Sequence, residues 1–460
     1  LNIVALILAL ILTWLLTPWF NTLTGATHTN GFSLPLNYWI GFAAMFVGGS
    51  LLAGIYPAFV LSGFGPVTVL KGLFKNSTGG LLLRKGLIVT QFTTSVVLIA
   101  GTIVVFQQVS FMRKQKLGAD INQTLVLNGA ASLTDSLYQS SFQPFKNDLQ
   151  KISGIKNISS SSSVMGKEIY WTNGAKRLGS QDKGAITLYN MGIDYDFIPS
   201  FGLELKAGRN FSKEFGTDLH GGVLLNEEAA KRLGFTDYTK SINAPFISAG
   251  DTVKLLGILA DYHHQGLQKA IEPMVFRLRP NNRGSYSIKA ETASLATTIP
   301  AIEKIWNKHF PNDPFSYYFL DESFDQQYKE DKLFGKVFGI FASLAILIAC
   351  FGLLGLSAYN ILQRTKEIGI RKVMGASVQN LLIILSKDFM KLVLVAFVIA
   401  VPVTWLIMHN WLQDFAYRIN ISWWVFAIAG ISSFVIALFT ISFQAIKAAL
   451  ANPVKSLRSE

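Results

Sequence analysis

A bilayer's hydrocarbon core is roughly 30 Å thick, which about 20 apolar residues cross at 1.5 Å rise each. This 460-residue chain contains such runs repeatedly, at residues 1–20, 38–61, 87–109 and 333–362, and in a long stretch over 381–446. Gln413, Asp414, Arg418 and Asn420 interrupt the last stretch within 411–422, dividing it into two spans joined by a polar hairpin. Six spans are therefore expected. Charged residues make up 15% of the chain, well below the roughly 25% of soluble domains, as lipid-solvated sequence requires.

The net charge of +13 would suggest nucleic acid in a soluble protein, but its distribution argues against that. Residues 113–332 hold 26 Lys and Arg against 24 Asp and Glu, a net of +2, so +11 belongs to the apolar remainder. It concentrates in short loops. Lys71, Lys75, Arg84 and Lys85 fill one, Arg364, Lys366, Arg371 and Lys372 a second, and Lys447, Lys455 and Arg458 follow the last run. The positive-inside rule makes these three segments cytoplasmic. Residues 21–37 carry no Lys or Arg, and Trp14, Trp19, Trp39, Trp405, Trp411, Trp423 and Trp424 gather toward that opposite side as an interfacial belt. The partner implied is membrane lipid, and no nucleic acid. Residues 111–322 then form a large non-cytoplasmic domain between the third and fourth spans.

The lone Cys350 lies within an expected span, which excludes a disulfide framework. The chain starts inside an apolar run with no Met and no basic segment before it, as expected for the C-terminal part of a longer protein. An internal repeat points the same way. Thr13-Trp14-Leu15 recurs as Thr404-Trp405-Leu406, Tyr38-Trp39 as Trp423-Trp424, and Pro66-Val67-x-x-Leu70-Lys71 as Pro453-Val454-x-x-Leu457-Arg458, at offsets of 391, 385 and 387. Three ordered matches at a nearly constant offset indicate a duplicated unit. Residues 1–62 become the helix pair that ends a first unit, followed by a cytoplasmic linker over 63–86 and a span over 87–110.

Within the large domain, alternating segments at 125–127, 222–225, 253–258 and 274–278 read as strands, and 141–152, 227–233 and 301–309 as helices, an α+β pattern. The serines at 159–163 read as a solvated turn. Ser323-x-x-Gln326 has the form of a capping box. From there Phe324, Tyr328 and Phe334 continue at apolar spacing with no Pro, so 323–362 is expected to be one helix, roughly 55 Å long, joining domain to membrane as a stalk. Residues 378–446 form the final helix pair and 447–460 a cytoplasmic tail.

No G-x-x-x-x-G-K-[ST] string occurs, so nucleotide hydrolysis is not expected of this chain. Asp261, His263 and His264 have metal-ligand side chains, but adjacent histidines on an extended segment face opposite ways, and a surface position is expected instead. Glu227 and Glu228 follow Asn226 at a predicted helix start, where carboxylates favour the helix dipole. No catalytic grouping and no metal site emerges.

The loop Gln363-Arg-Thr-Lys-Glu-Ile-Gly-Ile-Arg-Lys-Val-Met-Gly-Ala-Ser377 is basic and amphipathic, and Gly375 is placed to end a short helix. Lying on the lipid surface is one use for it; docking on a soluble protein suits its Glu367, Gly369 and Gly375 better. The loop resembles the R-x-x-E-I-G-I-x-[KR]-x-x-G-A signature of FtsX-like permeases, the membrane subunits of MacB-type ABC transporters. The large domain resembles the family's periplasmic core domain at Asp196-Phe197, Phe201-Gly202, Gly208-Arg209-Asn210-Phe211, Val223-Leu224-Leu225-Asn226-Glu227 and Gly257-x-x-x-Asp261-Tyr262-His263.

That resemblance implies a multi-pass protein of the bacterial inner membrane whose large domain is periplasmic. A separate cytoplasmic ATPase dimer, carrying ATP and magnesium, would dock on Arg364, Lys366, Glu367, Ile368, Gly369, Arg371, Lys372, Gly375 and Ala376. Pro66, Val67, Leu70, Lys71, Pro453, Val454, Leu457 and Arg458 offer a second cytoplasmic contact by position. ATP-driven motion relayed through the stalk would export or extract a substrate, with a periplasmic adaptor or substrate protein as partner; the alternative is an FtsX-like regulator that activates cell-wall hydrolases. The repeat departs from MacB's four spans and implies eight in two units.

Overall fold

In the computed structural model, residues 2–25, 35–62, 78–132, 135–179, 184–291, 295–363, 367–368, 370–371 and 374–450 are described. The helices are α1 (Asn2–Thr24), α2 (Leu36–Ser62), α3 (Thr78–Lys114), α4 (Asp135–Leu149), α5 (Phe197–Ser200), α6 (Glu227–Arg232), α7 (Tyr238–Ser241), α8 (Leu295–His309), α9 (Leu320–Gln326), α10 (Lys329–Gln363), α11 (Val378–Leu412) and α12 (Trp423–Leu450). The strands are β1 (Thr124–Asn128), β2 (Ile155–Ser161), β3 (Thr172–Arg177), β4 (Ile186–Ile193), β5 (Leu205–Gly208), β6 (Gly222–Asn226), β7 (Pro245–Ser248), β8 (Asp251–Leu259), β9 (Met274–Leu278), β10 (Ser285–Ala290) and β11 (Tyr317–Phe319). The chain divides into a helical unit, comprising Leu1–Thr102, Leu333–Thr404 and Trp423–Glu460, and a sheet-bearing unit, comprising Ile103–Lys332 and Trp405–Ser422.

Five helices of the described chain are long and apolar enough to cross a membrane: Asn2–Thr24, Lys85–Lys114, Lys329–Leu362, Gln379–Leu412 and Trp423–Gln444. In the remaining expected span, the stretch Leu36–Leu51 is apolar but shorter. In the helical unit, Ile88 and Phe92 of α3, Ala349 and Leu353 of α10, Phe389, Val393 and Ala396 of α11, and Ala437 and Ile441 of α12 form one buried cluster. These residues recur every three or four positions and so lie along one side of each helix. Their exposed faces carry Phe351, Val398 and Phe439, a pattern that suits lipid and would not suit water. The repeated Thr-Trp-Leu segments share a local bond, with Thr13 Oγ1 donating to the Ala9 carbonyl at 2.8 Å and Thr404 Oγ1 to the Ala400 carbonyl at 2.8 Å.

The sheet-bearing unit has two parts. Strands β11, β1, β10 and β2 pair antiparallel in that order, and α4 and α8 cover them through Tyr138, Phe142, Phe145, Ile302 and Trp306, with Phe310 just past α8 in the same cluster. The other strands close on themselves. Pairings run β4–β3–β7–β8–β6–β9, and a parallel β4–β9 ladder with Tyr189 opposite Met274 completes a six-stranded ring. Leu188, Val223, Leu225, Phe246, Leu255 and Val275 belong to its apolar cluster, in which α6 buries Ala229 and Ala230. A single pairing, Ser161 with Ile193, connects the ring to the four-stranded part.

Three expectations need correction. The serine run is a turn only at Ser162 and Ser163: Ser159, Ser160 and Ser161 are buried in β2, paired with Ser287, Tyr286 and Ser285 of β10. Their small side chains suit the seam between the two parts. Two helices also begin six residues before their expected starts, at Asp135 and Leu295; in the second the helix takes Pro300, just before the expected start, inside it. The stalk, finally, is not one helix from Ser323. The helix α9 begins at Leu320 directly after β11, with Ser323 inside it, and ends at Gln326; α10 begins at Lys329.

Candidate functional site

The signature loop lies in the helical unit. Residues 367, 368, 370 and 371 are helical, and Glu367 Oε1 meets Arg371 at 2.8 Å, one turn on. The turn ends as its glycine demands. Gly375 has φ +89°, and the Ala376 N–H reaches back to the Arg371 carbonyl at 2.9 Å. This six-to-one bond around a left-handed residue is a Schellman closure. Two residues later Ser377 accepts the Asn380 N–H at 3.3 Å and so caps α11. Ile368 is buried against Leu381, with Ile361, Ala376 and Leu382 packed around them. That anchor leaves Ile370 and Met374 on the outside, 53% and 81% exposed. An apolar pair four residues apart, rimmed by Glu367 and Arg371, forms a knob fit for a protein cleft.

Of the other expected docking residues, Arg364, Lys366, Gly369 and Lys372 lie outside the described residues, as do Pro66, Val67, Leu70, Lys71, Pro453, Val454, Leu457 and Arg458.

The break between α9 and α10 has a physical cause in the sheet-bearing unit. The Gln327 carboxamide accepts the Gly266 N–H at 2.8 Å and donates to the Gly166 carbonyl at 3.2 Å, while the Tyr328 hydroxyl accepts the Leu267 N–H at 3.1 Å. Gln268 donates to Asp331 at 2.6 Å. The loop over 262–268 thus holds the break at Gln327 and Tyr328 and the first turn of α10 at Asp331. Phe324 and Tyr328 of the expected stalk are buried here, whereas Phe334 is 38% exposed and its ring packs tilted against Phe338 with centroids 4.4 Å apart.

The same loop meets the polar hairpin. Ala416 N–H donates to the Gln268 carbonyl at 3.0 Å, and the His263 ring packs edge-on against Tyr417 at 4.8 Å. Gln108, fully buried in α3, closes the arrangement from the other side. Its amide donates to the Tyr417 carbonyl at 2.7 Å and its oxygen accepts the Ile419 N–H at 2.9 Å, so one side chain completes two hairpin backbone bonds.

Residues 339–453 match the FtsX-like permease C-terminal family. This FtsX-like segment covers most of α10, the whole signature loop, α11 and α12. No curated protein matches the chain. Among solved structures, the periplasmic region of MacB from Actinobacillus actinomycetemcomitans aligns with a TM-score of 0.33 at 14% identity, over 48% of this chain and 98% of its own. The extracellular domain of the noncanonic ABC-type transporter YknZ from Gram-positive bacteria aligns with a TM-score of 0.30 at 14% identity, over 43% and 99%.

The motif residues of the large domain are architectural. A Cβ on Gly208, at φ +79°, would meet the Leu256 carbonyl oxygen at 2.2 Å. Arg209 binds both carboxylate oxygens of buried Asp218, at 2.7 and 2.8 Å. Burial pushes the Asp218 carboxyl up, but the guanidinium and the Ser212 N–H outweigh that and hold it below the usual value. Asn226 caps α6 and also accepts the Met274 N–H. The start of α6 and Asp261 are tied crosswise, the Asp261 carboxylate accepting the Glu228 N–H and the Glu227 carboxylate accepting the Asp261 N–H.

The surface position expected for the histidines fails at His264, which is buried beside Tyr262, its ring pushed by that burial down to about 4. Among the described residues, no three His, Cys, Asp or Glu side chains group as a metal site would require. Gln108 and Gln327 were the junction residues missed from the sequence. The available signal was an amide within or beside an apolar run, where an unpaired polar group is costly.

Proposed function

We propose that this chain is the permease subunit of an ABC transporter, with its sheet-bearing unit in the periplasm of a bacterial inner membrane and its signature loop docked on a separate ATPase dimer. ATP hydrolysis by that partner drives a conformational change in the periplasmic unit for export or extraction of a substrate. Six spans, with the periplasmic unit between the third and fourth, complete the reading. The observation that carries it is the exposed Ile370 and Met374 knob, set on a buried Ile368 anchor and closed at Gly375, inside the segment that matches FtsX-like permeases. Other features support it. The helix that Ser377 caps runs without interruption to Leu412, next to the hairpin that Gln108 and Gln268 hold, so a displacement at the loop has a continuous helix along which to travel.

The test is co-purification with the soluble ATPase from the native membrane. Ile370→Glu with Met374→Glu alters only exposed side chains and leaves the Ile368 anchor in place, so the protein remains folded while ATPase recovery falls at least about tenfold, as loss of a central apolar contact of roughly 1.4 kcal/mol or more would produce. Undiminished recovery from correctly folded variant would refute the docking role.

A further inference from the structure

Tyr170 and Trp171 are 87% and 45% exposed, although Ile169 beside them is 4% exposed and belongs to the unit's main apolar cluster. Their place in the fold is well defined. The Trp171 carbonyl accepts the Asn190 N–H at 2.8 Å where β3 begins, with Thr172 opposite Tyr189. Tyr189 donates its N–H to the Pro273 carbonyl at 2.9 Å and stands beside Met274; Met274 bonds Asn226, which is level with Leu259 of β8. The pair therefore lies at the strand ends from which the loop over 260–273 emerges.

That loop contacts α10 at its first turn, through Asp331, and the hairpin between α11 and α12, through Ala416 and Tyr417. The segment carrying the pair starts there too. Gly166 bonds both His264 and Gln327, and four further residues reach at most about 14 Å. Glu168 and Lys269 tie the segment to the loop at 3.5 Å. Exposed aromatics and the ends of the apolar helices thus share one edge of the unit.

We infer that Tyr170 and Trp171 are an interfacial anchor that enters the headgroup layer of the membrane's outer face. Each ring has an apolar body and a polar edge, the combination that settles at headgroup depth. Lys167, Glu168 and Lys269 flank the pair with a net of only +1, so its partner is the interface of the bilayer itself and not an anionic headgroup drawn by a polybasic patch. The anchor fixes the height of the edge from which the loop over 260–273 grips the helix junction. This inference rests on the spanning role of the apolar helices and is independent of ATPase docking.

The full chain, with Cys350→Ser, is labelled at Tyr170→Cys with an environment-sensitive fluorophore and reconstituted in phosphatidylcholine vesicles containing headgroup-nitroxide lipid. Leu137→Cys, exposed at the start of α4 beyond the opposite end of β1, is the water-facing control, and Phe341→Cys, exposed on α10, tests the span with an acyl-chain nitroxide. The label at 170 should be quenched at least about twofold more than that at 137 and be shielded from iodide by a similar factor. Equal quenching at 170 and 137, with 341 quenched normally, overturns the anchor alone; no quenching at 341 removes the spanning reading beneath it. Protection of 170 from both quenchers assigns the pair to a protein contact and also overturns the inference.

Discussion

Replacing Gln108 by Leu keeps the volume and apolar fit of a buried position in α3 but strips two hydrogen bonds from the hairpin. The Tyr417 carbonyl loses its 2.7 Å donor and the Ile419 N–H its 2.9 Å acceptor. Each unpaired buried backbone group costs about 1–3 kcal/mol. Tyr417 and Ile419 are half-buried, so water offsets part of this and about 2–4 kcal/mol is expected. Arg418 lies between the two bonds and is exposed, which makes the bond after it a natural trypsin site once the hairpin opens. Cleavage of a transiently opened segment follows the open population, so 2–4 kcal/mol corresponds to roughly 30-fold to 700-fold faster cleavage there. Gln108→Glu, when ionised, keeps the acceptor for Ile419 but buries a charge and sets an acceptor against the Tyr417 carbonyl, so it should open the hairpin at least as much as Gln108→Leu. The assay is limited trypsin digestion of purified protein, with the fragment mapped by mass. A Gln108→Leu rate within twofold of wild type, in protein of unchanged thermal midpoint, would refute the claim that this side chain holds the hairpin.

Three further outcomes are expected. Lys146 bonds Asp194 and Asp196 at 2.7 Å each while Asp194 is almost wholly buried, so Lys146→Met strands a buried carboxylate at about 3–5 kcal/mol, lowering the thermal midpoint by roughly 6–20 °C in calorimetry; Lys146→Met with Asp194→Leu should recover most of the loss. Gly375→Ala forces a side chain into φ +89° with open space around it, so the Schellman turn weakens by about 1–2 kcal/mol and ATPase recovery drops, whereas Gly375→Asn drops it less. The Asp218 carboxyl, held below its ordinary value once Arg209 and Ser212 overcome the effect of burial, contributes stability that is present above the unfolded pKa near 4 and is lost as pH falls through the folded one. Denaturant titrations at stepwise lower pH should therefore show wild type losing stability below about pH 4 more steeply than Asp218→Asn, and parallel curves would remove Asp218 as the source.

What could be read in advance followed short-range rules. A run such as 87–109 declares a spanning helix because lipid rewards apolar length regardless of partners, and β6 and β8 were legible as strands although their burial makes them more continuously apolar than the alternation expected. The signature loop was legible for a similar reason: Gly375 closes a helical turn and Ser377 opens the next helix by local backbone chemistry alone. The serine run was misread because serine's preference for turns is itself local, and its place in β2 comes from pairing with residues more than a hundred positions away. Separation along the chain also hides the ring closure, since nothing in β4 announces a parallel partner at β9.

The stalk shows where local rules end. From Ser323 onward, helix propensity, apolar spacing and the absence of Pro all favour one uninterrupted helix, yet the chain stops at Gln326 and restarts at Lys329. Gln327 and Tyr328 have no intrinsic reason to break a helix. They do so because their side chains meet backbone groups of Gly266, Leu267 and Gly166 that would otherwise be buried without partners. A loop sixty residues upstream therefore decides where α10 begins. Because that loop also holds the hairpin after α11 through Gln268 and His263, the two connections are coupled by a shared set of hydrogen bonds.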